Sequence, residues 1–126
     1  MVTIMLIDDD NDEHELFMQQ LAELNQSIQL ISAHDGPEAF KLLTNVTPDY
    51  IFLDINMPKM NGLQVLKRLK DDKGLKEIPV YIYSTSDGFN SKEPALKLGA
   101  VHYFQKPSNP QELQNIFNYV LGNDRS

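Results

Sequence analysis

The sequence contains no cysteine among its 126 residues. That excludes a disulfide framework, thiolate metal ligands and thiol nucleophiles. Long apolar stretches are also missing: the runs stop at four or five residues, far short of the roughly 20 that a membrane-spanning helix needs. Lysine and arginine are absent from the first forty positions, which hold nine acids; the remaining positions hold nine acids and all 11 Lys and Arg. The net charge of −7 argues against a nucleic-acid binder, whose affinity comes mainly from Lys and Arg neutralising phosphates. No basic leader precedes the short apolar start at Met1 to Ile4. No secretion signal is therefore expected, and a cytoplasmic protein is the default. No repeat, low-complexity tract or break in composition marks a linker. A length of 126 residues fits one domain at roughly 100–200 residues each.

What is present is a series of short apolar runs alternating with helix-like segments. Ile4 to Ile7, Tyr50 to Leu53 and Val80 to Tyr83 read as strands buried on both faces. Ile28 to Ile31 mixes in a polar residue and reads as an edge strand, and Val101 to Phe104 as a short fifth strand. Between them, Phe17, Leu21 and Leu24 mark a first helix. A second opens at Asp35-Gly36-Pro37, and a third at Gly62 carries Leu63, Leu66 and Leu69. A fourth starts near Ser91, because Pro94 is tolerated only in a first turn, and Gly99 suits its end. Leu113, Ile116, Phe117, Val120 and Leu121 form the apolar stripe of a fifth helix, with Asn109 as its cap and Pro110 at its first position. Five strands alternating with five helices imply an α/β, doubly wound parallel sheet covered on both faces.

In such sheets, sites form beyond the carboxyl ends of the strands. There the sequence places Asp8, Asp9 and Asp10, then Asp54, then Ser84, Thr85 and Ser86, and finally Lys106 and Pro107. Crowded carboxylates repel one another unless a cation sits among them. A hard divalent ion such as Mg²⁺ takes one or two carboxylates and keeps several waters. A metal beside a lysine and a hydroxyl suits a phosphoryl group, and an aspartate can itself accept one.

Four motifs carry a resemblance. Ile7-Asp8-Asp9-Asp10, Leu53 to Gly62, Ile78-Pro79-Val80 leading to Ser84, and Tyr103-Phe104-Gln105-Lys106-Pro107 together resemble the receiver domain of bacterial two-component response regulators, of the stand-alone chemotaxis-receiver type. The intervals match as well: 45 residues from Asp9 to Asp54, 30 from Asp54 to Ser84 and 22 from Ser84 to Lys106.

The resemblance implies a flavodoxin-like (βα)5 fold with strand order 2-1-3-4-5 and one response regulatory domain over residues 1–126, with a short polar tail at 122–126 and no effector domain. It implies that Asp54 is the phosphoacceptor. Asp9, Asp54 and the Asn56 carbonyl would ligate Mg²⁺ (or Mn²⁺), and Asp8 would act mainly through water. Lys106 would pair with Asp54 and then with a phosphoryl oxygen, Ser84 would donate to the phosphoryl group, and Tyr103 would be the aromatic switch. Asn56 and Ser86 would tune the lifetime of the phosphate, and Lys106–Pro107 stands where a cis peptide is usual. The implied donor is a sensor histidine kinase or histidine phosphotransfer protein. Output would be protein–protein contact with an unidentified partner, from a monomer or a phosphorylation-dependent homodimer. The protein would not be an enzyme beyond its own phosphorylation and dephosphorylation.

Read alone, Asp10, Asp12 and Glu13 suit the cap and first turn of a helix; His14, His34 and His102 read as structural or solvent-facing. A haloacid-dehalogenase-type phosphatase shares the strand followed by Asp8-x-Asp10, but it lacks a late acidic pair here and leaves Asp54 without a role. An EF-hand loop from Asp8 fails because Glu13 replaces the glycine and Gln19 the bidentate glutamate. A receiver fold with dead chemistry is opposed by the intact set Asp8, Asp9, Asp54, Ser84 and Lys106.

Overall fold

Every apolar run forms a strand in the computed structural model, which describes residues 1–24, 26–86 and 88–122. Along the chain these elements are β1 (Val2–Ile7), α1 (Asn11–Ala22), β2 (Ile28–Ala33), α2 (Gly36–Leu43), β3 (Tyr50–Leu53), α3 (Gly62–Asp71), β4 (Val80–Ser84), α4 (Lys92–Lys97), β5 (His102–Gln105) and α5 (Pro110–Gly122). The strands are parallel in the order β2-β1-β3-β4-β5. β1 and β2 reach further than their apolar runs because parallel pairing continues from Val2 opposite Ile28 to Ile7 opposite Ala33. The Asp87 position and the end of the polar tail, residues 123–126, lie outside the described residues.

Alternation along each strand sorts the side chains into two layers. Met5, Ile7, Ile51, Leu53, Val80 and Ile82 face one layer with Leu43, Val65, Leu66 and Leu69 from α2 and α3. Ile4, Leu6, Tyr50, Phe52, Tyr81 and Tyr83 face the other with Phe17 and Leu21 of α1 and Leu113, Phe117 and Val120 of α5. Central strands buried on both faces explain why β1, β3 and β4 read as unbroken apolar runs.

The helices start where capping side chains stop the extended backbone. Asp10 accepts from the Asp12 amide at 2.9 Å, Asp35 from Glu38 at 2.8 Å and Asn109 from Glu112 at 2.9 Å. Asn61 and Gln64 form a reciprocal capping box at α3. Ser91, ahead of α4, makes no side-chain cap. Among the described residues no peptide bond is cis, so Lys106–Pro107 departs from the geometry the resemblance implies. The trans form is ordinarily favoured by about 0.5–1 kcal/mol at such bonds. Among the described residues no helix is long and apolar enough to cross a membrane.

Candidate functional site

The carboxyl ends of β1, β3, β4 and β5 meet at one crevice. The ladder carries the chain straight into it: the Asp8 amide donates to Ala33 at 3.0 Å, Asp54 to Ile7 at 2.9 Å and Lys106 to Ser84 at 2.7 Å. Asp8 is fully buried and Asp54 nearly so, whereas Asp9 is exposed at the rim. Each of these three aspartates brings one carboxylate oxygen to within 4.8 Å of the others'. Gly62 makes the arrangement possible at the start of α3. A Cβ there would stand 2.3 Å from the Asp54 carbonyl oxygen and 2.7 Å from the Ile55 Cα.

The lysine enters from the opposite side. Its Nζ lies 2.8 Å from Asp8 Oδ2, 3.9 Å from Asp54 Oδ2 and 4.0 Å from Glu13 Oε2. It also stands 5.8 Å from the centre of the Tyr83 ring. The tight pairing is therefore with Asp8, although the resemblance implies Asp54. The physical reason is that Asp8 is the more deeply buried anion and the nearer one. Ser84 is buried, and its Oγ accepts from the Ser86 amide at 3.3 Å. Asn56 is exposed on the loop after β3, its amide 3.4 Å from Asp54 Oδ1. Tyr103 is turned inward, its hydroxyl donating to the Ser86 carbonyl at 3.2 Å and sharing a hydrogen bond with Ser91 Oγ at 3.1 Å.

Burial, reinforced by the charge of Asp8, pushes the Asp54 carboxyl up to about 6, against the pull of Lys106. Burial also raises Glu13, with Asp8 and Asp10 adding to it and Lys106 opposing. For Lys106, burial pulls downward, but Asp8, Asp54 and Glu13 together carry the ammonium above its usual value. The crevice thus lacks positive charge. Asp8 Oδ2 is buried and ion-paired with Lys106, and among the described residues it has no well-aligned hydrogen bond. An all-oxygen donor set with such an atom fits a hard divalent cation.

The sequence gives Glu13 and Tyr83 no place at this site. Glu13, read as a first-turn acid, instead turns into the crevice, and Tyr83 lies beside its carboxylate. The spacing of Glu13, Phe17 and Leu21 at i, i+4 and i+8 puts all three on one helix face, and the other two are buried. That periodicity is the signal that places Glu13 inward. His14 is buried as well, with its Nε2 2.8 Å from the Asp8 carbonyl oxygen.

The response regulator receiver domain profile matches residues 4–118. The chain is 33% identical over 120 residues to the chemotaxis protein CheY1 of Helicobacter pylori, spanning 94% of this chain and 96% of that one. Among solved structures, the Mn²⁺-bound response regulator Rcp1 superposes with a TM-score of 0.88 at 27% identity, covering 96% of this chain and 95% of that one. The phosphorylated cyanobacterial phytochrome response regulator RcpA superposes with a TM-score of 0.86 at 30% identity, covering 94% and 90%.

Proposed function

The chain belongs to the response regulator receiver domain family, a phosphoacceptor of two-component signalling, and from that premise we propose that Asp54 is the residue phosphorylated. The observation that carries this is its position. Asp54 is buried with the Lys106 ammonium 3.9 Å away and with Asp8 and Asp9 completing a carboxylate set for a divalent cation, so the lysine and a bound cation together would compensate the charge of an incoming phosphoryl group. One Asp54 carboxylate oxygen attacks the phosphorus of a phosphohistidine. The P–N bond breaks, its electron pair stays on the imidazole, which takes up a proton, and an acyl phosphate forms. Lys106 and the Ser84 hydroxyl donate to the phosphoryl oxygens. Asp8, Asp9, Asp54 and the Asn56 carbonyl would hold Mg²⁺, or Mn²⁺ in its place, which when bound neutralises phosphoryl charge. Asn56 and Ser86 flank the route by which water reaches the acyl phosphate and so set its lifetime. The donor is a sensor histidine kinase or a histidine phosphotransfer protein, and the signal leaves through contact with another protein.

Incubation with acetyl phosphate and Mg²⁺, followed by mass spectrometry of the intact chain and its peptides, tests the assignment. One adduct on the Asp54 peptide is expected, abolished by EDTA and by Asp54→Asn. Full labelling of Asp54→Asn would overturn it, and absence of any label on the native chain would favour a receiver fold used only for binding.

A further inference from the structure

We propose that Glu13 is a positioning residue for Lys106, holding its ammonium over the crevice when Asp8 and Asp54 are engaged by a divalent cation. The inference rests on the phosphoacceptor reading above and adds a residue to which that reading gives no part.

The starting point is a conflict over Asp8. Its Oδ2 is the atom 2.8 Å from Lys106 Nζ, yet the same carboxylate belongs to the three-oxygen cluster that fits a cation. A cation drawn to that cluster offsets the negative charge of Asp8 and Asp54 together, the first two partners of the lysine. The Lys106 side chain is only 10% exposed, and a buried ammonium without a counter-charge is strongly disfavoured. It would swing out to water, away from the phosphoryl oxygens it has to meet. Glu13 supplies the remaining anion. Its Oε2 is 4.0 Å from Nζ and, among the described residues, has no hydrogen-bond partner, so it can accept. Glu13 is not one of the three clustered carboxylates, Asp8, Asp9 and Asp54, which leaves it to the lysine. Its own freedom is small. It sits in the first turn of α1, behind the Asp10 cap and one turn ahead of the buried Phe17, with Tyr83 against its carboxylate. A shift of about one ångström brings the pair into contact, and misplacements of that size change rates severely.

The test uses the full chain with lysines ¹³C-labelled at Cε and Lys106 assigned by comparison with Lys106→Arg. Without metal, Glu13→Gln should leave the Lys106 signal near its native position, because Asp8 still holds the ammonium. With saturating Mg²⁺, the native signal should stay displaced and that of Glu13→Gln should collapse toward solvent-exposed lysine. The phosphorylation rate at saturating acetyl phosphate and Mg²⁺ should fall roughly tenfold, as for loss of an outer partner of a metal site, with Mg²⁺ affinity not weakened. Tyr83→Phe, which keeps the charge and the packing, should move both readouts part of the way. Native protein labelled in parallel separates the two ideas: if it takes no phosphate, the phosphoacceptor reading fails and this one with it. If it labels and Glu13→Gln labels as fast or faster, or the Lys106 signal stays put, Glu13 is only an added negative charge and the inference is wrong. Weaker Mg²⁺ binding in Glu13→Gln would also overturn it, by assigning Glu13 to the cation.

Discussion

Asp54 shows how far a fold can push the titration of one side chain. Burial and the neighbouring Asp8 raise its carboxyl from 3.8 to about 6, so the ionised form, which the proposed attack on phosphorus would use, is disfavoured relative to the unfolded chain. The sign of the linkage follows. A carboxyl whose folded pKa lies above its unfolded one stabilises the fold fully below the unfolded value, and that contribution is lost as pH rises through the folded value. In metal-free buffer, Asp54→Asn should therefore be more stable than the native chain at neutral pH. The gap should close as pH falls from about 6 to 3.8. Urea unfolding of both proteins across that window checks it; a native chain as stable as the variant at neutral pH would contradict it. Addition of Mg²⁺ should stabilise the native chain more than the variant, because the cation binds the ionised cluster. Lys106 works in the opposite direction, and Lys106→Met leaves Asp8 and Asp54 without their ammonium. Its thermal midpoint at neutral pH should drop, and the drop should shrink in acid as Asp54 takes up a proton.

At the scale of elements, the site depends on how close α3 can start to the end of β3. Gly62 sits where a Cβ would meet backbone, 2.3 Å from the Asp54 carbonyl oxygen, so no side chain can yield to make room. Gly62→Ala should cost about 1–3 kcal/mol by overpacking and displace Asp54 enough to slow labelling well beyond the loss in folded fraction. Labelling corrected for folded population separates the two effects. Much of this was legible in the sequence. The apolar runs named the strands, because burial on both faces removes polar alternation, and Asp35, Asn61 and Asn109 marked helix starts through capping chemistry. The identities of Asp8, Asp9, Asp54, Ser84 and Lys106 followed from their place at strand ends. Three features were not legible, each for a physical reason. Glu13 was hidden because acids are common in a first helical turn, and the packing of Phe17 decides which way it points. The preference of Lys106 for Asp8 over Asp54 turns on about an ångström, 2.8 against 3.9 Å, below what residue spacing resolves. The inward state of Tyr103 depends on a loop that offers its Ser86 carbonyl.

Across the whole molecule, a buried phosphoryl group must reach a surface, and a line of hydrogen bonds gives it a route. Ser84 Oγ accepts from the Ser86 amide, the Ser86 carbonyl accepts from the Tyr103 hydroxyl, and that hydroxyl meets Ser91 at the entry to α4. Tyr103, the expected aromatic switch, is already inside, so any change must act on its hydrogen bonds rather than on its burial. With Asp54 as the proposed phosphoacceptor, a phosphoryl group there would draw the Ser84 hydroxyl through a charge-assisted hydrogen bond worth about 1.5–3 kcal/mol. The Ser86 amide then loses its acceptor, and the turn that positions the Ser86 carbonyl and Gly88 is free to rearrange. Gly88 is well placed to take up the change, with a φ of +88° and a Cβ position 3.1 Å from the Tyr103 ring. At the far end, α4 has six residues and no side-chain cap, so little holds its first turn against such a shift. The surface this moves includes Phe89 and Leu96, both exposed. On loading with beryllofluoride and Mg²⁺, NMR shift changes should concentrate on residues 84–86, 88–97 and Tyr103 and remain small in β2 and α2. Tyr103→Phe should bind beryllofluoride as tightly as the native chain, yet lose most of the changes in α4, because the hydroxyl is the link between Ser86 and Ser91. Changes confined to α1, or an α4 response that survives in Tyr103→Phe, would show that the signal leaves by another path.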